Sequence, residues 1–259
     1  MVKSRLIFIG DVHGCIHELD QLLERLSPGK SDTLVFIGDL IDKGPDSTAV
    51  VKRFFELGSI CNIKFVLGNH EEKFLRYVNH IETGSGKEKE MKGTEEFPLL
   101  YSQLNTEELA GMREAYYSIH FPEADLCAIH GGISHQIAFP FPFDYQYALH
   151  NPKNYKGLDL ITKTRFLNPE GKFVGLGEEK EADRFWAETY DGRFGKLIFG
   201  HQPFLQENPR IFPHAFGIDT ACVFGGWLSA MIVENQQIQF LSVRASQAYA
   251  QMKGKGLYS

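Results

Sequence analysis

The 259-residue chain predicts an α/β protein with a parallel sheet in its first third and a second, more antiparallel sheet after it. Three short apolar runs carry the first half of that expectation: RLIFIGD (5–11), TLVFIGD (33–39) and IKFVLGN (63–69) each stop at a glycine followed by a polar residue, and helical patterns lie between them. Strand, helix, strand in this order calls for parallel neighbours joined by right-handed crossovers. The second half rests on LCAIHGG, KLIFGHQ, FGIDT, WLSAMIV and IQFLSV, the last three of which follow one another with little helical pattern.

Taken in order, the runs are rich in Ile, Val and Phe, as short buried strands are. Ile16, Leu19, Leu22, Leu23 and Leu26 share one helical face, and Val50, Val51, Phe54 and Phe55 share another, behind an N-cap predicted at Ser47. A third helix is predicted to begin near His70 and to carry Phe74, Leu75 and Val78. The charged, glycine-punctuated stretch 84–96 predicts a mobile surface loop. NTEELAGMREAYYSI (105–119) predicts a helix opened by a capping box of Asn105 and Glu108. FPFPFDYQY (139–147) has too many prolines and aromatics for a regular element, which leaves a packed loop or part of a substrate cap. One domain is expected over 1–259, with cap-like insertions near 79–125 and 134–195.

Composition narrows the function. A hydrophobic content of 43% and a charged content of 23% are those of a soluble globular chain. The net charge of -6, without a basic stripe, disfavours a partner that is a nucleic-acid polymer but leaves a small nucleotide open. No apolar run is long enough to span a membrane, and LIFIG is too short for a signal-peptide core, so the expectation is a cytoplasmic protein without a membrane partner. Cys15, Cys61, Cys127 and Cys222 are widely spaced and read as reduced, buried thiols.

The polar residues that end the strands are where chemistry is expected. In a parallel sheet, ligand sites gather beyond the carboxyl ends of the strands. Asp11 and His13, Asp39, Asn69 and His70, His130 and His201 should therefore meet on one rim. A buried carboxylate such as Asp39 needs a counter-charge. The mixed oxygen and nitrogen set suits Mn, with Fe, Zn, Co or Ni as alternatives, rather than Ca or a thiolate-seeking metal. Asp39, with two carboxylate oxygens, can bridge two divalent ions.

GDVHG (10–14), GDLIDKG (38–44), GNHE (68–71), HGG (130–132) and GH (200–201), in this order, resemble the calcineurin-like metallophosphoesterases, in particular the phosphoprotein phosphatase branch. GIDTACVFGG (217–226) and TRFLNPEGKF (164–173) are similar to segments of bacterial diadenosine tetraphosphate hydrolases. The resemblance implies a four-layer fold, two mixed sheets face to face with helices outside. It implies two divalent ions, one held by Asp11, His13 and Asp39, the other by Asp39, Asn69, His130 and His201. Direct attack on phosphorus by a metal-bound water or hydroxide follows, with His70 as general acid and Asp42 orienting its imidazole. Glu71 is expected to accept hydrogen bonds behind the ligands rather than to bind metal. Lys43 departs from the family's arginine: an ammonium is a point charge where a guanidinium is a fork, and it either grips phosphate or pairs with Asp46. Arg165 is the expected second phosphate clamp, and Asn69 is expected to reach the substrate as well.

The implied activity is hydrolysis of phosphate monoesters, as by protein serine/threonine phosphatases, on a phosphorylated protein or small phosphate ester. The alternative is bis(5'-nucleosyl)-tetraphosphate (diadenosine tetraphosphate) hydrolysis, with a dinucleotide as substrate. A metal-bearing scaffold without catalysis is disfavoured by the complete ligand set.

Overall fold

A computed structural model describes residues 4–137, 145–146 and 158–252. The three N-terminal apolar runs form β1 (Leu6–Ile9), β2 (Thr33–Phe36) and β3 (Asn62–Phe65). Between and after them lie α1 (Ile16–Leu26), α2 (Ser47–Leu57) and α3 (Asn69–Glu82). The strands pair in parallel, Leu6 beside Thr33 and Thr33 beside Asn62, as the alternation of strand and helix requires.

Next come α4 (Phe97–Gln103), α5 (Thr106–Met112), β4 (Tyr116–Phe121), β5 (Leu126–Ile129) and β6 (Tyr145–Gln146). A small three-stranded sheet follows from β7 (Phe166–Leu167), β8 (Phe173–Val174) and β9 (Arg184–Phe185), then α6 (Trp186–Thr189). The chain ends in β10 (Lys196–Phe199), β11 (Arg210–Phe212), β12 (Ala215–Gly217), β13 (Trp227–Glu234) and β14 (Gln237–Arg244). The first sheet has the order β14-β13-β1-β2-β3 and the second β11-β12-β10-β5-β4-β6. Both mix parallel and antiparallel pairs.

Here the expectation for the last two strands changes. WLSAMIV and IQFLSV do not join the second sheet; β13 runs antiparallel to β1, with Phe8 beside Met231, and β14 closes that edge. Period-two burial makes this possible: Met231 and Val233 point between the sheets, Leu228 and Ala230 into the helix-side core.

The two sheets face each other across a dry layer. Phe8, Val35, Met231 and Val233 of the first meet Ile119, Leu126, Ala128, Ile198 and Phe216 of the second. Alternate residues point outward, to helices: Phe36 meets Phe54 of α2 edge-on at 5.2 Å, and Phe199 meets Trp186 of α6 at 4.9 Å. The result is helix, sheet, sheet, helix, the four layers expected.

Three local expectations are refined. The cap of α2 is Asp46, whose carboxylate accepts the Ala49 amide at 2.8 Å; the Ser47 hydroxyl accepts the amide of Asp42 at 2.9 Å instead. The Asn105–Glu108 capping box is present, but its helix ends at Met112, because YYSIHF alternates and pairs as β4 against β5. The 84–96 stretch holds a 3₁₀ turn over Lys87–Glu90. Of FPFPFDYQY only Tyr145 and Gln146 fall among the described residues, where they pair with β4; the rest of that expectation lies outside them. The four cysteines are buried free thiols. Among the described residues no helix is long and apolar enough to cross a membrane.

Candidate active site

The carboxyl ends of β1, β2, β5 and β10 converge, and the turns leaving them carry Asp11 and His13, Asp39, His130 and His201; Asn69 and His70 open α3 beside them. His13, Asp39, Asp42, Lys43 and His201 all have positive φ, between 46° and 73°. Left-handed backbone is costly for side chains of this kind and persists where the surroundings dictate it. For the turn of Asp39 the dictation comes from Glu71, fully buried on α3, whose carboxylate accepts the amides of Asp39, Leu40 and Ile41 at 2.8, 2.8 and 3.1 Å. Burial and the Asp39 charge push Glu71 up to about 7. Gly44 is needed in the same turn, since a Cβ there would collide with the His13 carbonyl oxygen.

Two sets of donor atoms form around Asp39: with His13 and His70, and with His130 and His201, each set within 4.8 Å. His13 Nδ1 donates to Ile41 O at 3.0 Å and His130 Nδ1 to Ile37 O at 2.6 Å, which aims both Nε2 atoms into the rim. Burial keeps His13 and His201 well below the usual imidazole range, which favours the neutral rings. Burial also opposes charge on His130, but Asp39, 3.3 Å from its Nε2, pushes it up to about 9. His201 Nε2 is buried with no hydrogen-bond partner among the described residues. An orphaned imidazole nitrogen beside oriented imidazoles and buried carboxylates fits divalent cations, because each donor then acquires the positive partner it lacks.

Each expected residue can be placed. Asp11 stands outside both donor sets; its carboxylate accepts the His201 amide at 3.0 Å, tying the end of β1 to the end of β10. Asn69 Oδ1 faces His130 Nε2 at 3.2 Å. His70 Nδ1 donates to Asp42 Oδ2 at 2.6 Å, and its Nε2 points back toward Asp39 at 3.8 Å. Burial pushes the Asp42 carboxyl up, but the hydrogen bond and charge of His70 outweigh it and leave it below its ordinary value. The Lys43 ammonium donates to His13 Nε2 at 2.9 Å and lies 5.6 Å from the centre of the Phe224 ring. Asp46 is engaged at the α2 cap. Arg165 Nη2 donates to His201 O at 2.6 Å.

One residue given no role by the motifs also belongs here. Asp219, buried after β12, accepts the Ala221 amide at 2.9 Å, and burial raises it to about 6. Its signal was weaker: FGID ends an apolar run on glycine and aspartate as β1 and β2 do, but with Ile218 between the two.

His13, Asp39, Asn69, His70, His201 and Asp219 line a cavity of about 860 Å³. Among the described residues its cations are Lys43, Lys73 and Arg165; its acids outside the metal-ligand set include Asp42, Glu95, Glu179 and Asp219; and Phe166, Leu176, Phe224 and Met252 contribute apolar wall.

A family profile of calcineurin-like phosphoesterases matches residues 4–228. The bis(5'-nucleosyl)-tetraphosphatase PrpE (asymmetrical) of Oceanobacillus iheyensis is 29% identical over 95% of this chain and 94% of its own. The protein of the same name from Halalkalibacterium halodurans is 31% identical, over 92% of this chain and 93% of its own. Among solved structures, one presented as a candidate diadenosine tetraphosphatase superposes with a TM-score of 0.69 at 28% identity, covering 98% of this chain and 96% of that one. A protein serine/threonine phosphatase from Saccharomyces cerevisiae shares the fold, with a TM-score of 0.63 at 15% identity over 95% of this chain and 81% of that one. With its motifs closing the matching strands along nearly its whole length, the chain belongs to the calcineurin-like phosphoesterases, a family of metal-dependent hydrolases.

Proposed function

We propose that the chain hydrolyses bis(5'-nucleosyl)-tetraphosphates asymmetrically, to a nucleoside triphosphate and a nucleoside monophosphate, with two divalent cations, manganese for choice. The carrying observation is where two segments lie: TRFLNPEGKF supplies Arg165 and Phe166, and GIDTACVFGG supplies Asp219 and Phe224, to the wall of one cavity. Its volume of about 860 Å³ suits a nucleotide-sized ligand. The names of the full-length relatives support the dinucleotide over the phosphoprotein, which moves the monoesterase expectation into second place.

In this reading Asp11, His13 and Asp39 would hold one cation, and Asp39, Asn69, His130 and His201 the other. When bound, such a pair supplies Lewis acidity to the phosphoryl oxygens and lowers the pKa of water. The chain's own groups do the rest. Arg165 and Lys43 neutralise the phosphate chain, the first through a guanidinium anchored on His201 O and the second through a point charge held beside His13. His70, held through Nδ1 by Asp42, presents Nε2 to the leaving oxygen and gives it a proton. Glu71 keeps Asp39 in place by holding the amides of its turn.

The test is a comparison of substrates on manganese-loaded enzyme: diadenosine tetraphosphate, a phosphoserine peptide and p-nitrophenyl phosphate, with products separated by ion-exchange chromatography. The expected outcome is the largest kcat/KM for the dinucleotide, with ATP and AMP in equal amounts. Two equivalents of ADP, or faster release of phosphate from the peptide, would overturn the reading.

A further inference from the structure

The proposed chemistry leaves one cation of the cavity without a task. Lys73 lies three residues beyond His70 on α3, so the two side chains share a face of that helix, one turn apart. Its ammonium donates to the carbonyl of Gly93 at 2.6 Å and lies 5.8 Å from the centre of the Phe97 ring. No carboxylate among the described residues stands within 4 Å of it as an ion-pair partner. The other two cations of the cavity are held against metal-site histidines, Lys43 on His13 Nε2 and Arg165 on His201 O. Among the described residues Lys73 is thus the cation of the cavity that is held by neither a carboxylate nor a metal-site histidine, and it stands on the side where the leaving group departs in this reading.

Direction follows from the acid. A proton donor must sit beside the oxygen that leaves. The part of the substrate bonded to that oxygen therefore extends past His70, away from the cation-binding rim. Continuing along the same face of α3, the next polar group that lines the cavity is the Lys73 ammonium. Glu95 and Glu179 share the wall and disfavour an anion beside them, which leaves the Lys73 ammonium as the attractive charge that this helix brings to the cavity. An ammonium is well matched to that duty, since it can exchange a neutral carbonyl for charged phosphate oxygens without leaving an ion pair broken.

We propose that Lys73 is the binding site for the phosphates of the leaving group, and so a residue that favours polyphosphate substrates over simple monoesters. This rests on the reading of His70 as the acid and of a dinucleoside polyphosphate as substrate. The alternative duty for Lys73 is structural, tying the 84–96 loop through Gly93.

Two measurements separate these, both on manganese-loaded enzyme, with Lys73→Met and Lys73→Arg beside the unaltered chain. First, kcat/KM is compared for diadenosine tetraphosphate and p-nitrophenyl phosphate, whose leaving group carries no phosphate. Lys73→Met should lose more on the dinucleotide than on the nitrophenyl ester by about 10-fold or more, the worth of a charge-assisted hydrogen bond, chiefly in KM, and Lys73→Arg should recover most of the difference. Second, ATP and inorganic phosphate are compared as inhibitors of p-nitrophenyl phosphate hydrolysis. Lys73→Met should weaken inhibition by ATP about 10-fold and by inorganic phosphate much less. Equal losses on both substrates, with both inhibitors weakened alike, would assign Lys73 to the loop and overturn the proposal. Absence of dinucleotide turnover by the unaltered enzyme would instead refute the substrate reading, and the inhibitor comparison would still decide the role of Lys73.

Discussion

His70 shows how much of this chemistry rests on a few atoms. Its ring is pinned at Nδ1 by Asp42 at 2.6 Å, its amide donates to Asp39 Oδ1 at 3.1 Å, and only Nε2 is left to meet substrate. Asn in its place retains a short polar side chain and removes the transferable proton. We expect His70→Asn to bind metal at the original stoichiometry and to slow turnover by about 10² to 10⁴ where the leaving group is poor. Nitrophenolate, which leaves readily without protonation, should suffer much less. Steady-state kinetics over a series of leaving groups checks this, and a uniform loss across the series would remove His70 from the acid's place. The same contrast bears on Lys43 and Arg165: if they grip phosphate oxygens common to all substrates, as proposed, their replacement should affect every member of the series alike.

At the scale of elements, the turns that carry the site are supported by neighbours far from it. Asp32, just before β2, accepts the Arg5 guanidinium at 2.6 Å as well as the amides of Arg5 and Gly29, and so fixes the starts of β1 and β2 side by side. Burial pushes the Asp32 carboxyl up, but the bonds from Arg5 and Gly29 outweigh it and hold it below its ordinary value. A carboxylate with a depressed folded pKa stabilises the fold fully above its unfolded pKa, about 3.9, and that contribution fades as pH falls through the lower folded value. Asp32→Asn should therefore cost about 2 kcal/mol at neutral pH, with the difference from the unaltered chain closing in strongly acidic solution. Urea denaturation at several pH values measures this; a difference that grew toward acid would contradict the assignment. These elements also show what a sequence discloses. Strand ends were legible because an apolar run broken by glycine beside a polar residue is a local signal, and so Asp11, Asp39, Asn69, His130 and His201 could be named. The partner of β13 was not legible, since Met231 beside Phe8 is a pairing across more than two hundred residues that no local pattern encodes. Lys73 went unnoticed for a related reason: its meaning depends on the cavity that the 84–96 loop completes with Gly93 and Glu95.

At the scale of the whole molecule, the site is a seam between the two sheets. Asp11 and Asp39 end strands of the first sheet, His130 and His201 end strands of the second, and the His201 amide already reaches across to Asp11. Cations held from both sides would cross-link the sandwich at one end, and a ligand that binds only the folded chain stabilises it by mass action. With free manganese a thousandfold above its dissociation constant the gain is about 4 kcal/mol, which for a chain of this size raises Tm by roughly 8 to 16 °C. Asp39 stands in both donor sets, so Asp39→Asn should lose most of that rise together with metal content, while its Tm in chelator stays within a few degrees of the unaltered chain's. Calorimetric scans with manganese and with chelator, paired with elemental analysis of the dialysed protein, make the measurement. A Tm indifferent to manganese in the unaltered chain, or an Asp39→Asn variant that keeps two equivalents of metal, would mean that the seam is held by protein contacts alone and that Asp39 does not join the cations.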